Sequence, residues 1–219
     1  MTVFLATPLG KNGNIHVKTS VFCSIVSRSP EVEWGHICQM GVELSRNNLI
    51  EDHLHFGRDW SFVFLLDSDV VPPLFALKKM LGYDADFVTG FCPIIMKEGL
   101  YWNVAGEDGN LIPYHEKLPD EPFEVPSCGA GCILVKKKVI DSMDWPYFKM
   151  CYQPKWENGG DSMKKGEDIY FSEKAVSLGY KILADPSIRC EHYNQVELSN
   201  LYKVIKNQVE TGNVRKEKA

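Results

Sequence analysis

Ser61-Phe62-Val63-Phe64-Leu65-Leu66-Asp67-Ser68-Asp69 is the stretch whose reading decides the fold. Phe62 to Leu66 is an unbroken apolar run, and a short run of this kind reads as a strand buried on both faces. It ends at two carboxylates separated by one small residue. Asp67 and Asp69 therefore sit where the strand leaves the sheet, beside the crevice in which open α/β sheets bind ligands. Two hard oxygen donors at that place suit Mg²⁺ or Mn²⁺, ions usually shared with substrate phosphates. An Asx-turn at a strand end explains Asp-Ser-Asp equally well. Val70-Val71-Pro72-Pro73 then stops the strand and opens the way to a helix near Leu74.

Outward from this strand the pattern alternates. Val3 to Ala6 reads as a first strand and Lys11 to Asn14 as a loop. Thr19 to Ser27 reads as a helix with Phe22, Ile25 and Val26 inward, and Val42 to Phe56 as a second helix with Ile50 and Leu54 on one face. Leu74 to Leu81 is a helix closed by Gly82, and Asp86 to Phe91 is a strand. This βαβαβ opening predicts an α/β fold with a doubly wound sheet. Gly99, Gly106, Gly109, Pro113, Pro119, Pro122 and Pro126 break up residues 97–127, which predicts loops and a small antiparallel excursion. Cys132 to Val135 returns as a strand, followed by a short helix over Lys138 to Ser142. Residues 153–166 are polar and glycine-rich and predict a mobile loop. Glu167 to Leu178 is a helix stopped by Gly179, and Tyr180 to Ala184 is a last strand. A terminal helix follows over 197–209, then a frayed tail.

The chain has 219 residues, 44% of them hydrophobic, which fits one globular domain over 1–212, with residues 213–219 as a flexible tail. Its formal charge of −5 argues against a general nucleic-acid binder. No run is long enough to span a bilayer. Met1 leads directly into a strand-like stretch without a basic n-region. The seven cysteines are scattered and odd in number, which reads as reduced thiols of a cytoplasmic protein. A zinc site at Cys128 and Cys132 is the lesser reading.

Four further segments carry possible chemistry. Gly166-Glu167-Asp168 delivers two acids to the first turn of a helix. Favourable placement against the helix dipole, worth under ~1 kcal/mol on a surface, accounts for them; so does a carboxylate positioned to take a proton from a hydroxyl. His192, soon after a strand, offers an imidazole to a divalent ion, although a lone histidine is more often a hydrogen-bonder. Arg46, in Ser45-Arg46-Asn47-Asn48, has a fork that suits a diphosphate, or is simply a helical charge. Gly129-Ala130-Gly131 lets a ligand or backbone approach closely, or makes a tight turn.

Taken in order, Asp67-Ser68-Asp69 after a strand, Gly129-Ala130-Gly131 before one, Gly166-Glu167-Asp168 on a helix, then Asp185-Pro186 and His192 resemble the GT-A glycosyltransferases. They look most like the family-2-type enzymes that use nucleotide-diphosphate sugars. Among small soluble relatives, the chain also resembles the amino-terminal domain of capsid-decorating glycosyltransferases of large algal viruses. The resemblance runs from Thr2 to about His192. It implies a Rossmann-like, mostly parallel central sheet flanked by helices, with a nucleotide-binding half over 1–96 and an acceptor-side half over 97–212. It implies that Thr7 and Pro8 border the base, that Arg46 and Asn47 lie near the nucleotide, and that Asp67 and Ser68 belong to the donor site. Asp67 would contact the ribose or the metal, and Asp69 and His192 would ligate Mn²⁺ or Mg²⁺. Gly129, Ala130 and Gly131 would line the donor and acceptor pocket. Asp168, with Glu167 beside it, would be the base of an inverting transfer from a UDP-sugar to a glycan or glycoprotein hydroxyl. The 153–166 loop would close over the donor. The chain is shorter than most family-2 enzymes and lacks their membrane helices, and further domains after residue 219 are compatible with the pattern. Residues 98–126 match nothing in the family, so the acceptor site is open.

Two other functions compete. A sugar-1-phosphate nucleotidyltransferase would want a glycine-rich basic loop after the first strand, of which Thr7-Pro8-Leu9-Gly10-Lys11-Asn12-Gly13 is a poor version. A non-catalytic carbohydrate-binding domain of the same fold would use aromatics such as Trp102, Trp145, Tyr147 and Trp156 for stacking, but has no need of Asp168.

Overall fold

The computed structural model describes residues 1–10, 13–38, 41–56, 59–96, 98–155 and 160–193. Its first half holds β1 (Val3–Pro8), α1 (Val17–Val26), β2 (Val32–Ile37), α2 (Val42–Phe56), β3 (Phe62–Leu66), β4 (Val70–Val71), α3 (Ala76–Leu81) and β5 (Phe87–Phe91). Then come β6 (Pro93–Met96), β7 (Gly99–Ala105), β8 (Leu111–Pro113), β9 (Phe123–Val125), β10 (Cys132–Lys136) and α4 (Lys137–Asp141). The last described elements are β11 (Cys151–Lys155), β12 (Gly160–Lys165), α5 (Glu167–Ser177), β13 (Ile182–Arg189) and β14 (Glu191–His192).

The main sheet has seven strands in the order β2-β1-β3-β10-β5-β13-β9. β2, β1, β3, β5 and β13 point one way, while β10 and β9 run against them. The sheet is mixed, with five of its seven strands sharing one direction, as expected, and three parallel and three antiparallel neighbouring pairs. β3 lies between β1 and β10 and is buried along its whole length. Its alternation divides the core. Val63 and Leu65 face Phe4, Ile133, Val135 and Phe171 on one side. Phe62, Phe64 and Leu66 face Leu5, Phe22, Leu134 and Met80 on the other. Each such side chain contributes roughly 1.5–3 kcal/mol relative to exposure, which is why an unbroken apolar run occupies the centre. The antiparallel excursion is the three-stranded sheet β6-β7-β8.

Several local expectations need correction. Val32–Ile37 is a strand that the pattern did not announce: it is an edge strand with no fully buried residue, so its apolar face is weak. α1 turns Thr19, Phe22 and Cys23 inward and leaves Ile25 exposed. β13 runs on to Arg189, with a register shift between Ala184 and Arg189 that accommodates Pro186. Where a loop was expected over 153–166, β11 and β12 pair as an antiparallel ribbon. A ribbon outside the main sheet forms its ladder without a period-two apolar face, so its sequence carries no strand signal. Gly179, at φ 90°, ends α5 in the left-handed conformation expected of a helix stop. The side chain of Leu54, and Trp156, residues 197–209 and residues 213–219, lie outside what is described.

Candidate active site

The C-terminal end of β3 carries the Asp67-Ser68-Asp69 turn, and its neighbours fix it by main-chain bonds. Asp67 N–H donates to the Gly131 carbonyl at 3.1 Å, His16 N–H to the Ser68 carbonyl at 2.8 Å, and Tyr193 N–H to the Asp69 carbonyl at 2.9 Å. The His16 and Tyr193 rings stack with centroids 3.9 Å apart. Two hollows meet at this turn. One, of about 310 Å³, is lined by Pro8, Leu9, Gly10, Gly41, Val42 and Asp67 to Asp69. The other, of about 620 Å³, is lined by residues including Gly10, Asn14, His16, Ser68, Asp69 and Tyr193.

β14 pairs with β4, setting His192 opposite Val70. The His192 Nε2 atom stands 3.5 Å from Asp69 Oδ1. Its Nδ1 lies 2.7 Å from the Pro93 carbonyl oxygen. A carbonyl only accepts, so Nδ1 carries the proton and Nε2 of the neutral ring presents its lone pair toward Asp69. This is the arrangement in which histidines commonly bind metals. On protonation Nε2–H would bond Asp69, and that bond holds the imidazole pKa above its ordinary value, with burial opposing. Asp69 and His192 thus fit a divalent ion. Asp67 is placed differently: its Oδ1 accepts from Arg46 Nη2 at 2.5 Å. Among the described residues no three His, Cys, Asp or Glu side chains converge into a ready-made metal cluster.

Arg46 reaches this turn from α2 and is 2% exposed. Nη1 donates to Glu167 and Nη2 to Asp67. Burial works against its charge, but Asp67, Glu167 and Asp168 outweigh it and raise its pKa. Burial likewise pushes Glu167 up, and Arg46 pulls it back only in part. The two shifts favour opposite states of the pair; we take both groups as ionised, because an arginine does not release its proton and Glu167 accepts its bond. Two of the guanidinium's five N–H donors thus go to carboxylates, and its buried Nε meets no partner among the described residues. Three acids, Asp67, Glu167 and Asp168, act on this guanidinium, a surplus of negative charge that favours a cation.

Asn47 departs from expectation. Its amide donates to the Glu43 and Phe148 carbonyls and accepts from the Tyr147 and Phe148 N–H groups. With its capacity used, it pins the 147–148 segment to α2 and has nothing left for a nucleotide. Thr7 is fully buried and accepts from Trp34 Nε1 at 3.1 Å. It faces the core, and only Pro8 of the expected pair lines a hollow.

Gly129, Ala130 and Gly131 are buried and are not among the residues lining either hollow. A Cβ on Gly129 would stand 3.1 Å from Asp168 Oδ2 and 3.2 Å from Asn103 Cβ; one on Gly131 would stand 3.5 Å from Asp67 Oδ2. The missing side chain of Gly129 lets the Asp168 carboxylate settle against the backbone, whereas at Gly131 a Cβ would meet Asp67 at ordinary contact distance. Asp168 itself is half-buried at the start of α5, with Oδ1 accepting from Ile169 N–H at 2.8 Å. Asn103 was not singled out in the sequence. It bonds the backbone of Cys92 in both directions, and its carbonyl accepts from Gly129 N–H at 2.7 Å. It lies in the irregular stretch where no period marks it.

No family model matches the sequence, and no curated protein matches it. Solved structures do match. A197 from STIV aligns with a TM-score of 0.60 and 19% identity, over 89% of this chain and 87% of that one. GalNAc-T7, solved with UDP, GalNAc and Mn²⁺, aligns with a TM-score of 0.53 and 13% identity, over 90% of this chain and 44% of that one. An inositol-1-phosphate CTP transferase from T. maritima aligns at 0.47 with 14% identity, over 94% and 95%. At these identities the likeness shows the fold alone: the chain has a GT-A-like α/β fold. The narrower likenesses, to family-2-type enzymes and to capsid-decorating enzymes of algal viruses, are not carried by these matches.

Proposed function

We propose that the protein is a metal-dependent glycosyltransferase that moves a sugar from a UDP-sugar to a hydroxyl of a glycan or glycoprotein. The observation that carries this is Asp69, which follows β3 and lines both hollows, faced by His192 of β14. GalNAc-T7 shares the fold and was solved with UDP and Mn²⁺, which supports the same ligand classes here.

In this reading the 310 Å³ hollow beside Pro8, Leu9 and Asp67 takes the nucleoside. Asp69 and His192 hold Mn²⁺ or Mg²⁺, with Asp67, oriented by Arg46, beside them. The cation supplies charge neutralisation for the diphosphate leaving group. Asp168 accepts the proton of the acceptor hydroxyl at its carboxylate. The acceptor oxygen bonds to the anomeric carbon from the face opposite the leaving group, the bond from that carbon to the phosphate oxygen breaks, and UDP leaves with the electron pair. The anomeric configuration inverts. Glu167 is a positioning residue: buried and paired with Arg46, it ties the start of α5 to α2 and Asp67. Its free cysteines support work in a reducing, cytoplasmic compartment.

Calorimetry with UDP in the presence and absence of Mn²⁺ tests the donor site, and the products of a UDP-sugar screen test the reaction. Manganese-dependent UDP binding and a transferred sugar of inverted configuration are expected. UDP binding indifferent to metal would remove the reading, and pyrophosphate release from UTP and a sugar 1-phosphate would replace it with nucleotidyl transfer.

A further inference from the structure

The β6-β7-β8 sheet carries a groove of about 440 Å³ lined by Met96, Glu98, Tyr101, Gly109, Asn110 and Leu111. We propose that this groove binds the acceptor as a pyranoside, with one sugar ring lying on Tyr101. The proposal rests on the transferase reading above and assigns the half of the site that reading leaves open.

The groove's chemistry suits a sugar. A pyranoside has an apolar face of C–H groups and a rim of hydroxyls. The half-buried Tyr101 ring, flanked by Met96 and Leu111, offers a flat apolar platform. Glu98 and Asn110 stand at its edge to bond hydroxyls. The volume lies within the range of small-molecule clefts. One wall is already built: Asn110 N–H and side-chain amide donate to Asp108 at 3.0 and 2.9 Å, and Gly106 N–H donates to the Asn110 carbonyl at 2.8 Å. The amide oxygen of Asn110 is left to accept. Trp102 and Tyr147, the aromatics that looked suited to stacking, are 4% and 6% exposed and cannot serve.

Position ties the groove to the chemistry. β6 begins at Pro93, whose carbonyl holds His192. β7 passes from Tyr101 to Asn103, whose carbonyl accepts from Gly129 N–H, and Asn103 Cβ and Asp168 Oδ2 both border the space that a Gly129 side chain would fill. At roughly 3.3 Å per residue the two β7 positions are on the order of 7 Å apart, a distance that one sugar ring spans. In this proposal a hydroxyl of the ring on Tyr101 lies toward Asp168.

Saturation-transfer NMR on the full chain tests this with a panel of methyl glycosides: glucoside, galactoside, mannoside, xyloside, fucoside and N-acetylglucosaminide. At least one should receive saturation. Tyr101→Ala should weaken it about tenfold, the scale of one lost aromatic contact, while Tyr101→Phe keeps it within a few-fold and confirms that the ring matters. Binding unchanged in Tyr101→Ala, or no transfer to any glycoside, overturns the proposal. Calorimetry of the same variants with UDP and Mn²⁺ separates the two readings. Tyr101→Ala should bind UDP as the parent does; failure of the parent to bind UDP would sink the transferase reading and leave a glycoside groove standing.

Discussion

His192 and Asp69 face each other with Nε2 3.5 Å from Oδ1, while the other nitrogen of the ring is held 2.7 Å from the Pro93 carbonyl. The carbonyl fixes which nitrogen is bare, and the β14–β4 pairing fixes where it points. Main-chain bonds from His16, Tyr193 and Gly131 hold the opposing turn. A carboxylate and an imidazole far apart in the sequence thus meet with little freedom, so a bound ion would need little reorganisation of the protein.

Asp69→Ala should therefore remove manganese-dependent UDP binding and leave the fold intact, since the side chain is exposed at a strand end and supports no core contact. His192→Ala should weaken that binding less, because carboxylate and phosphate oxygens remain. Calorimetry with UDP and Mn²⁺ measures both, with circular dichroism as the folding check. Parental affinity in Asp69→Ala would end its assignment as a ligand.

Arg46→Met tests whether the guanidinium is structural. It would leave the Glu167 side chain, 8% exposed, and Asp67 without their shared partner. A buried carboxylate stripped of its cation costs about 3–5 kcal/mol, which urea denaturation would read as a lower midpoint. Adding Glu167→Gln should recover part of the loss, because the unpaired charge goes with it. Unchanged stability together with weaker UDP binding would return Arg46 to the phosphates.

These residues show what the sequence could and could not reveal. The strand ending in Asp67 was legible because two buried faces demand consecutive apolar residues. The helix opening with Glu167 and Asp168 was legible because acids, an apolar stripe and a stopping glycine agree. Arg46 and Asn47 were read as ligand contacts, since polarity inside a helix looks the same whether it meets a nucleotide or another part of the chain. Only the fold brings Phe148 to Asn47 and Glu167 to Arg46. Thr7 was misplaced for a related reason: a strand's last residue looks open until Trp34 arrives from a strand with no strong pattern.

Thiol chemistry distinguishes the compartments. All seven cysteines are free, and Cys23, Cys92, Cys128, Cys132 and Cys190 are buried. Burial pushes the Cys128 thiol up to about 12, so it offers little thiolate at neutral pH. A thiol reagent should label Cys38 and Cys151 readily in the native protein and all seven after denaturation without reductant. A disulfide in freshly isolated protein would argue for an oxidising compartment.

Asp185 should mark the acid limb of stability. It is 1% exposed, and burial alone would raise its pKa. Bonds from Tyr83 at 2.7 Å, from Ser187 N–H at 2.9 Å and Oγ at 2.7 Å, and Lys79 at 3.1 Å outweigh burial and hold it below the ordinary value. A carboxyl with a depressed folded pKa stabilises fully above its unfolded pKa of about 3.9. That stabilisation is lost as pH falls through the lower folded value. Asp185→Asn should cost about 2–3 kcal/mol at neutral pH, the scale of bonds to a charged group. The gap between parent and variant in urea midpoints should narrow below about pH 4. A gap independent of pH would mean that the charge contributes nothing.

Asp168→Asn and Gly129→Ala approach the same carboxylate from two directions. The first keeps size and shape but removes the basic oxygen. If Asp168 is the general base, turnover should fall by about 10² or more while UDP affinity stays within a few-fold. Stability should change by no more than about 2 kcal/mol, the upper scale for an acid at a partly buried helix start. The second leaves the base but places a methyl 3.1 Å from Asp168 Oδ2 and 3.2 Å from Asn103 Cβ. The carboxylate must then shift by a few tenths of an ångström, and a misplaced base costs turnover without losing its charge. Gly129→Ala should therefore lower turnover with UDP affinity kept, and combining it with Asp168→Asn should add little, since the group it displaces is already disabled. Near-normal transfer by Asp168→Asn would refute the base assignment. Loss of UDP binding would move Asp168 into the donor site, and retention of anomeric configuration would replace direct displacement with a different chemistry.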